Sequence, residues 1–533
     1  MENNIYQNKR GTAFTRWMLT MSCVALCLFT IQTNAQVVAV TNPTNTTPNL
    51  AATYTTLAAA VTAVNSVTAI SGPVTITLNP ANPQTAPAGG YSISAAITGG
   101  SVANTITFAG SGNTITAGVG TNTTTDAFFK IIGTDFITIS NFVMSESAGN
   151  TTATTQIELG VALFYATATN GAQNITIQNN TITLNRTNPN SIGIYSNSTH
   201  TATAVGTSAS ATGTAGGNSN LRIYSNTISN VNQGIIVVGP IAAADANTGI
   251  EVGGSTLGNT ITNFGTTTTA SYINVSGTVN GILVRNSNGF VISNNTITSS
   301  VGGTTLGTLN GIQVPAASVA PTTTFTNNIN SNNISLQSAL ATGSMVGISY
   351  PSGSASATSI LNVNSNNFNT FGHTVAASGT ITFITVTSTN LTTSINSNTF
   401  TNISCNTTGS VTFISQSFTA PATGTKSVNS NSIVTAFAKT GAGGTVTFIT
   451  DNGSTVSGAV SNCQSNNFSN VTLTGATGIT GISYTDGGTA PTRTVTGNIL
   501  NNWTTGAATI NAMNFTYWLT NLMRHSNKRS SLH

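Results

Sequence analysis

The stretch from residue 174 to residue 185, "NITIQNNTITLN", returns in altered form along most of this chain. Later copies include "LRIYSNTISN" (221–230), "FVISNNTITS" (290–299) and "NINSNNISLQ" (328–337). Each copy has an apolar residue, two further residues, an asparagine, one residue, and then a second apolar residue. The asparagine therefore marks one position in a repeating structural unit.

The marker asparagines are 32 to 46 residues apart, a period that is typical of solenoid proteins. They are Asn141, Asn180, Asn226, Asn259, Asn295, Asn332, Asn366, Asn398, Asn431, Asn466 and Asn498. The residue two positions after the marker is apolar in every unit, and so is the residue three positions before it in most units. Both positions are predicted to face a core, with a sharp turn between them.

Asparagine suits this turn because it tolerates left-handed backbone angles and carries both a donor and an acceptor. Coils that stack about 4.8 Å apart bring equivalent side chains within hydrogen-bonding distance. We therefore predict that the markers from Asn180 to Asn498 form a structural asparagine ladder along the stack.

Most units also contain a second run of β-branched and aromatic residues, such as "GVALFY" (160–165), "GIIVVG" (234–239) and "VTFISQ" (411–416). These runs predict strands, so that each unit holds about three short strands and their turns. On these repeats, residues 126–505 resemble the right-handed parallel β-helix family typified by pectate lyases and their non-catalytic relatives. The resemblance implies an all-β, right-handed parallel β-helix of about eleven or more coils. It implies no single function, since lyases, hydrolases, adhesins and passive stalks share the architecture.

Residues 36–125 are predicted to form an N-terminal cap. Leu57, Val61, Val64 and Val67 are spaced to share one face of a short helix, with Thr55 or Thr56 as its N-cap. Predicted strands follow, among them "NTITFAG" (104–110) and "NTITAG" (113–118). A capping helix is what the open apolar end of a solenoid needs.

The two ends of the chain differ from the body. Residues 1–35 have a basic start, the apolar run "WMLTMSCVALCLFTI" and small Ala35 before Gln36, which predicts a cleaved signal peptide. The alternatives are a retained anchor helix or lipid attachment at Cys23 or Cys27. Residues 506–533 form an atypical tail, either native or the product of a shifted reading frame. We expect a secreted or cell-surface protein with no membrane span in the mature chain.

Charged residues make up 4% of the chain. Between the two ends, seven basic and eight acidic residues give a net charge of −1, so the body has no basic surface for nucleic acid. Cys405 and Cys463 fall on different coils and are predicted to be free thiols, with Cys463 in an inward position. No cofactor and no metal site are predicted.

Candidate site residues are few. Counted from their markers, Glu146 and Arg186 are predicted to meet on neighbouring coils, with Glu158 and Asp135 nearby. Glu251 and Arg285 form a second predicted pair. Each pair is either a surface ion pair or part of a sugar-binding or catalytic site. His200 and His373 fall in separate polar loops.

The body has one long insertion, residues 197–220, which is either a projecting recognition loop or a floppy insert. The sequence favours a secreted, non-catalytic surface or matrix protein, with adhesion or glycan binding as its expected role. The alternative is a polysaccharide lyase or glycoside hydrolase on the same fold. A more distant alternative is ice or mineral binding through threonine arrays such as those in "NTITF" and "NTITAG".

Overall fold

The computed structural model describes residues 37–203, 209–265, 278–305, 307–351, 353–485, 492–506 and 508–515. They form an all-β, parallel β-solenoid of about 12 turns with almost no helix, which confirms the predicted fold class. The predicted signal peptide and residues 516–533 of the predicted tail lie outside the described residues.

Three long sheets run along the stack, and most coils contribute one strand to each in turn, although sheet 2 ends at Ser432–Ile433, before the last coils. Sheet 1 contains Thr53–Tyr54, Val38–Thr41, Val74–Leu78, Ile106–Ala109, Ile137–Ser140, Thr176–Gln178, Arg222–Tyr224, Glu251–Val252, Val291–Ser293, Thr326–Asn330, Ile360–Asn364, Thr392–Asn396, Thr425–Asn429, Val460–Gln464 and Thr492–Thr496. Sheet 2 contains Gln84–Thr85, Thr114–Thr116, Val143–Ser145, Thr181–Thr183, Thr227–Ser229, Thr260–Phe264, Thr296–Ser299, Asn333–Ser335, Asn367–Asn369, Thr399–Thr401 and Ser432–Ile433. Sheet 3 contains Tyr91–Ile93, Ala127–Ile132, Leu159–Phe164, Ile192–Asn197, Gln233–Val238, Thr278–Arg285, Thr308–Gln313, Ser344–Tyr350, Ile381–Val386, Val411–Gln416, Thr445–Asp451, Gly478–Tyr484 and Ile510–Phe515.

Shorter strands form at the corners between the long sheets. The parallel sets are Asn247–Thr248 with Ser287–Asn288, Gln337–Ser338 with Gly372–His373, and the four strands Ser404–Cys405, Phe437–Lys439, Val471–Leu473 and Trp503–Thr504. An antiparallel pair joins Thr46–Thr47 to Ala69–Ile70, and single 3-10 turns span Pro43–Asn45 and Ala243–Asp245.

The core consists of columns of identical or similar side chains that stack from coil to coil. In sheet 2, Ile182, Ile228, Ile261, Ile297 and Ile334 are paired in register and fully buried. Their neighbours on each strand point outward, because side chains alternate between the two faces of a sheet. Side chains alternate between core and surface along each strand, and equivalent positions recur once in every coil. Together these two repeats determine which residues reach the core.

Sheet 3 meets these isoleucines with a column of glycines. Gly193, Gly234, Gly281 and Gly311 lie on successive coils, and a Cβ atom built on any of them would fall 2.4–2.8 Å from the Cγ2 atom of an isoleucine in sheet 2. Phe383 occupies the equivalent position further along the stack and packs against other rings in the core. The glycines therefore let the two sheets approach closely.

The N-terminal end is closed by the helix Leu57–Val64, whose N-cap is Thr56, with its hydroxyl oxygen accepting from the Ala59 N–H at 3.1 Å. Leu57, Val61 and Val64 are buried, and Val67 is buried just beyond the helix. Parallel stacking already begins where Val74–Leu78 pairs with Ile106–Ala109. The regular coils therefore begin earlier than the predicted boundary at residue 126.

Among the described residues of the insertion, 197–203 and 209–220, several pack back onto the solenoid, whereas 212–215 are exposed. Its His200 is buried, with Nδ1 within hydrogen-bonding distance of the Tyr195 hydroxyl, and the Ala209 carbonyl accepts from the Tyr165 hydroxyl at 2.6 Å. Beneath it, the outer face of sheet 3 is apolar and buried, including Phe164, Tyr195 and Ile236. Apolar side chains on that outer face explain why the insertion covers it.

Candidate functional site

The marker asparagines from Asn180 to Asn498 are joined in one column, which is buried from Asn180 to Asn466. Asn180 Nδ2 donates to Asn226 Oδ1 at 3.0 Å and to the Ile139 carbonyl at 3.0 Å, while the Asn180 backbone N–H donates to the same Asn226 oxygen. The pattern recurs on successive coils down to Asn466, whose Nδ2 donates to Asn498 Oδ1 at 2.9 Å. From Asn180 to Asn466, both the donors and the acceptor of each side-chain amide are used internally, so the column is a structural element and not a binding surface.

The left-handed residue of this turn is the one before the ladder asparagine, such as Asn179 (φ 55°) and Ser225 (φ 51°). Asn141 also has a left-handed φ of 58°, and strand pairing places Phe142 at the ladder position of its coil. Assigning Asn141 as a marker was therefore wrong by one residue, and Val143 points outward. The repeat pattern did not include Asn113, which occupies the same column on an earlier coil. Its Oδ1 accepts from the Asn82 N–H at 2.7 Å.

Two of the predicted acids, Glu146 and Glu158, do lie close together, and Asp126 joins them. Asp126 and Glu158 occupy equivalent positions on adjacent coils, just before strands Ala127–Ile132 and Leu159–Phe164, and both are fully buried. Burial raises the pKa of Glu158 to about 9, with further increases from the negative charges of Asp126 and Glu146. Lys130 Nζ lies 4.0 Å from Asp126 Oδ1. At neutral pH this cluster holds a protonated Glu158 next to an ion pair, beneath the surface.

Glu146 is held by its own loop. Its carboxylate accepts from Asn150 Nδ2 at 2.8 Å, from the Ser147 N–H at 2.7 Å and from the Ile157 N–H at 2.8 Å. Burial raises its pKa, and these hydrogen bonds lower it. The carboxylate thus organises a turn and is not directed towards a substrate groove.

Arg186 does not meet Glu146, so that predicted pair was wrong. Strand register carries Glu146 alongside Thr183, whose carbonyl accepts the Glu146 N–H at 2.9 Å. The Arg186 side chain extends along the stack instead and donates to the Ser300 hydroxyl and to the Gly265 carbonyl. Asp135 is also elsewhere, with its carboxylate accepting from the Gln173 N–H at 2.7 Å.

The second predicted pair, Glu251 and Arg285, is divided between sheets. Glu251 lies in sheet 1 beside Arg222 on the neighbouring strand, and its carboxylate accepts from the Tyr224 hydroxyl. Arg285 ends a strand of sheet 3, and its Nε donates to the Ala316 carbonyl at 3.0 Å. Counting from the marker failed here because the turns between sheets differ in length.

The outer face of sheet 2 carries a regular array of polar groups. Its strands contribute Thr181 and Thr183, Thr227 and Ser229, Thr260 and Thr262, and Thr296 and Thr298, all paired in register. Strand geometry sets the rows about 4.8 Å apart and the two columns about 6.6 Å apart. The hydroxyls of Thr227, Thr260 and Thr296 are at least partly exposed and make no side-chain hydrogen bond to any described residue. No strand of sheet 2 contains a charged residue.

The described residues contain no group of three or more His, Cys, Asp or Glu side chains placed to hold a metal ion.

Over the same part of the chain, no helix has the length and apolar character needed to cross a membrane. Cys405 and Cys463 are both free, and Cys463 is buried, as predicted. Cys405 is buried as well. No family model, curated protein or solved structure matches the chain.

Proposed function

We propose that this chain is a secreted, non-catalytic surface or matrix protein that binds neutral polysaccharide through the outer face of sheet 2. The observation that carries the proposal is the uncharged, registered array of Thr and Ser hydroxyls on that face, with Thr227, Thr260 and Thr296 free of internal partners. Each hydroxyl offers one donor and two acceptor positions, which complements the hydroxyl groups of a sugar chain.

The chemistry of the face favours a neutral ligand. No cation lies on sheet 2 to attract a polyanion such as pectate. The same face has no exposed aromatic side chain, since Phe368 and Phe400 point into the core. Binding therefore rests on many weak hydrogen bonds repeated along the polymer, and affinity grows with the number of coils engaged.

Burial argues against the lyase or hydrolase alternative. Cleavage of a glycosidic bond needs a pair of carboxyl groups flanking the substrate in fixed geometry. Asp126 and Glu158 are adjacent but fully enclosed, and Glu146 is engaged by three hydrogen bonds within its loop. Two of these three carboxyl groups are therefore enclosed, and the partly exposed third one is held within its own loop.

A set of matched variants tests the proposal. Thr181, Thr227, Thr260 and Thr296 are replaced together by valine, which keeps the side-chain shape and removes four hydroxyls from one column. The control carries valine at Thr382, Thr412, Thr447 and Thr480, an equivalent in-register column on sheet 3. Sedimentation with insoluble cellulose, chitin and β-glucan is then measured. We expect the sheet 2 variant to lose most of its binding and the control to keep it; equal retention by both would refute the assignment of the face.

The same array supports a second candidate, an ordered ice or mineral surface, because its hydroxyls repeat in two dimensions with fixed spacing. Inhibition of ice recrystallisation, or adsorption to calcium mineral, would distinguish this role. Loss of that activity in the sheet 2 variant, with no polysaccharide bound by the wild type, would favour the second candidate over the first.

A further inference from the structure

The outer face of sheet 1 carries an aromatic ring next to two charged side chains. Tyr224 follows buried Ile223 on the strand Arg222–Tyr224, so alternation turns its side chain outward, where it is partly exposed. Arg222 lies on the same face two residues earlier, and strand pairing places Glu251 beside it on the next coil. Sheet 1 therefore has an exposed aromatic group of the kind that the strands of sheet 2 lack.

The hydroxyl group of Tyr224 is held by both charged side chains. It donates to a carboxylate oxygen of Glu251 and accepts a hydrogen bond from the Arg222 guanidinium. These bonds fix the direction of the ring, and a pre-oriented ring loses little conformational entropy when a ligand stacks on it. A guanidinium has several donors and a carboxylate several acceptors, and no described residue uses the remaining ones of this pair. The cluster thus offers both donors and acceptors to a ligand at one end of the ring.

The edge of the ring borders a small open space with apolar sides. Gly254 has no side chain, and a Cβ atom built there would lie 3.7 Å from Tyr224 Cε1 and 3.9 Å from Leu257 Cβ. Leu257 is 45% exposed. The tyrosine ring and the leucine side chain therefore present apolar surface next to a glycine, with polar groups nearby. A pyranose ring matches this combination, because its C–H groups form an apolar face and its hydroxyl groups lie on the rim.

Uncharged side chains continue from this position along the outer face of sheet 1. The strand Val291–Ser293 comes first, and strand pairing then places Asn330 and Asn364 in one column on the next two coils. The Oδ1 atoms of both asparagines accept backbone N–H groups at 2.9 Å, whereas their Nδ2 groups donate to no described residue. Asn330 lies three coils from Tyr224, or about 14 Å along the stack. An extended ligand that runs along the stack therefore meets the aromatic ring and then free amide donors.

We propose that the strand Arg222–Tyr224, together with Glu251 and Leu257, forms a second carbohydrate-binding site, in which one sugar ring of a neutral oligosaccharide stacks on Tyr224. A neutral ligand is favoured because the two charged side chains of the site have opposite signs and give no net attraction for a polyanion. The inference rests on the proposed function for the class of ligand only, since the site lies on a different sheet and uses other residues. Sites on two sheets allow one molecule to link two polysaccharide chains.

Hydroxyl-radical footprinting of the full chain tests the site, with cellohexaose, chitohexaose and laminarihexaose as probes. A bound sugar shields Leu257 from oxidation, and Val102, which is 84% exposed, is the internal reference in mass spectrometry. Tyr224→Ala removes the ring, whereas Tyr224→Phe keeps it. Gly254→Leu fills the space beside the ring, where a Cβ atom meets no backbone atom of another coil within 4 Å. Gln464→Ala is the matched control, because it changes an outward residue of sheet 1 far along the stack.

We expect at least one of the sugars to protect Leu257 in the wild type, in Tyr224→Phe and in Gln464→Ala. The apparent affinity should be about tenfold weaker or more in Tyr224→Ala and Gly254→Leu, as for loss of an aromatic anchor. Absence of protection by all three sugars, or equal protection in Gly254→Leu, would overturn the proposal.

The valine variant of sheet 2 separates this site from the proposed function. We expect that variant to keep the protection of Leu257, and loss of protection there would overturn a separate site on sheet 1. Undiminished sedimentation of the same variant, with Leu257 still protected, would refute the assignment of sheet 2 and support the site at Tyr224.

Discussion

The backbone N–H of Asp126 donates to Glu158 Oε2 at 3.2 Å, so two carboxyl groups that are 32 residues apart in sequence are stacked on adjacent coils. Two negative charges on adjacent coils of a buried site are mutually destabilising. The pKa of Glu158 rises to about 9 through burial first and the charge of Asp126 second, which keeps Glu158 protonated at neutral pH. The same stack that places side chains in register thus also sets a protonation state.

This raised pKa predicts that stability falls as pH rises. The unfolded chain releases the Glu158 proton near its ordinary pKa of 4.5, whereas the folded chain holds it until about pH 9. Between those values the folded state binds more protons, so the free energy of unfolding decreases with increasing pH. Glu158→Gln mimics the protonated acid and removes this dependence.

We expect Glu158→Gln to match the wild type in urea denaturation at pH 4 and to exceed its free energy of unfolding by on the order of 3 kcal/mol at pH 8. His200 titrates in the opposite sense, because burial lowers its pKa to about 4 and its contribution is lost as pH falls. That contribution is common to both proteins and cancels in the difference between them. Identical stability at pH 8 would show that Glu158 is ionised in the folded state.

The asparagine ladder gives a second prediction. The Asn226 side chain accepts from Asn180 and donates to the Ile177 carbonyl and to Asn259 Oδ1, all within the buried column. Replacing it with alanine leaves several buried donors and acceptors without partners, each costing roughly 1–3 kcal/mol. We expect Asn226→Ala to lower the free energy of unfolding by about 3 kcal/mol or more.

The matched control is Thr227→Ala, one residue further along the chain and exposed on the outer face of sheet 2. Its free energy of unfolding should lie within about 0.5 kcal/mol of the wild type. Urea denaturation followed by far-ultraviolet circular dichroism measures both variants. Equal effects of the two substitutions would mean that the ladder does not stabilise the stack.

Much of the fold could be predicted from the sequence, because its strongest constraints are local and repeated. The apolar positions on either side of each ladder asparagine recur with every coil, so the sequence identified Ile182 and Ile228 as core residues without knowledge of their partners. Alternation within a strand also predicts that Lys426 faces inward, because it lies two residues before inward-facing Val428.

The pairing of charged residues could not be predicted in the same way. The turn from Ala127–Ile132 to the next strand of sheet 1 contains four residues, whereas the equivalent turn after Leu159–Phe164 contains eleven. A count from the marker asparagine therefore misses that Asp126 and Glu158 are stacked. The count brings Glu146 and Arg186 together for a different reason, because the marker Asn141 lies one residue before the ladder position of its coil. Turn length is set by local geometry that has no periodic signal.

In the glycine column of sheet 3, Gly234 is predicted to be a position that cannot accommodate even one additional methyl group. A Cβ atom at Gly234 would lie 2.2 Å from the Gly281 carbonyl oxygen and 2.8 Å from Ile261 Cγ2. Because the nearer atom belongs to the backbone of the next coil, the contact is relieved only by separating two paired strands. We expect Gly234→Ala to cost about 3 kcal/mol, at the upper end of typical overpacking effects.

Gly302 serves as the comparison, since a Cβ atom there has no neighbour within 4 Å. Gly302→Ala should be neutral or slightly stabilising, because alanine restricts the unfolded chain more than glycine does. Thermal denaturation of the two variants checks the difference. A Gly234→Ala protein as stable as Gly302→Ala would show that the strands of sheet 3 can separate at little cost.

Lys426 and Asp451 form an ion pair inside the solenoid, with Lys426 Nζ 2.9 Å from Asp451 Oδ1 and side chains that are 1% and 0% exposed. The ammonium group also lies 4.6 Å from the centre of the Phe418 ring. Removing one partner from such a pair leaves the other charge in a poorly solvated site, which costs about 3–5 kcal/mol. We expect Lys426→Met to show this loss in urea denaturation.

The double variant Lys426→Met with Asp451→Leu distinguishes a costly orphaned charge from a stabilising pair. Replacing both groups with apolar residues of similar size is often neutral, because the desolvation cost disappears together with the attraction. We therefore expect the double variant to regain most of the stability that Lys426→Met loses. Because the pair is enclosed, 1 M NaCl should change little the difference in free energy of unfolding between these variants and the wild type. The same salt would weaken an exposed ion pair by screening. A double variant as unstable as the single one would mean that the ion pair itself holds these two coils together.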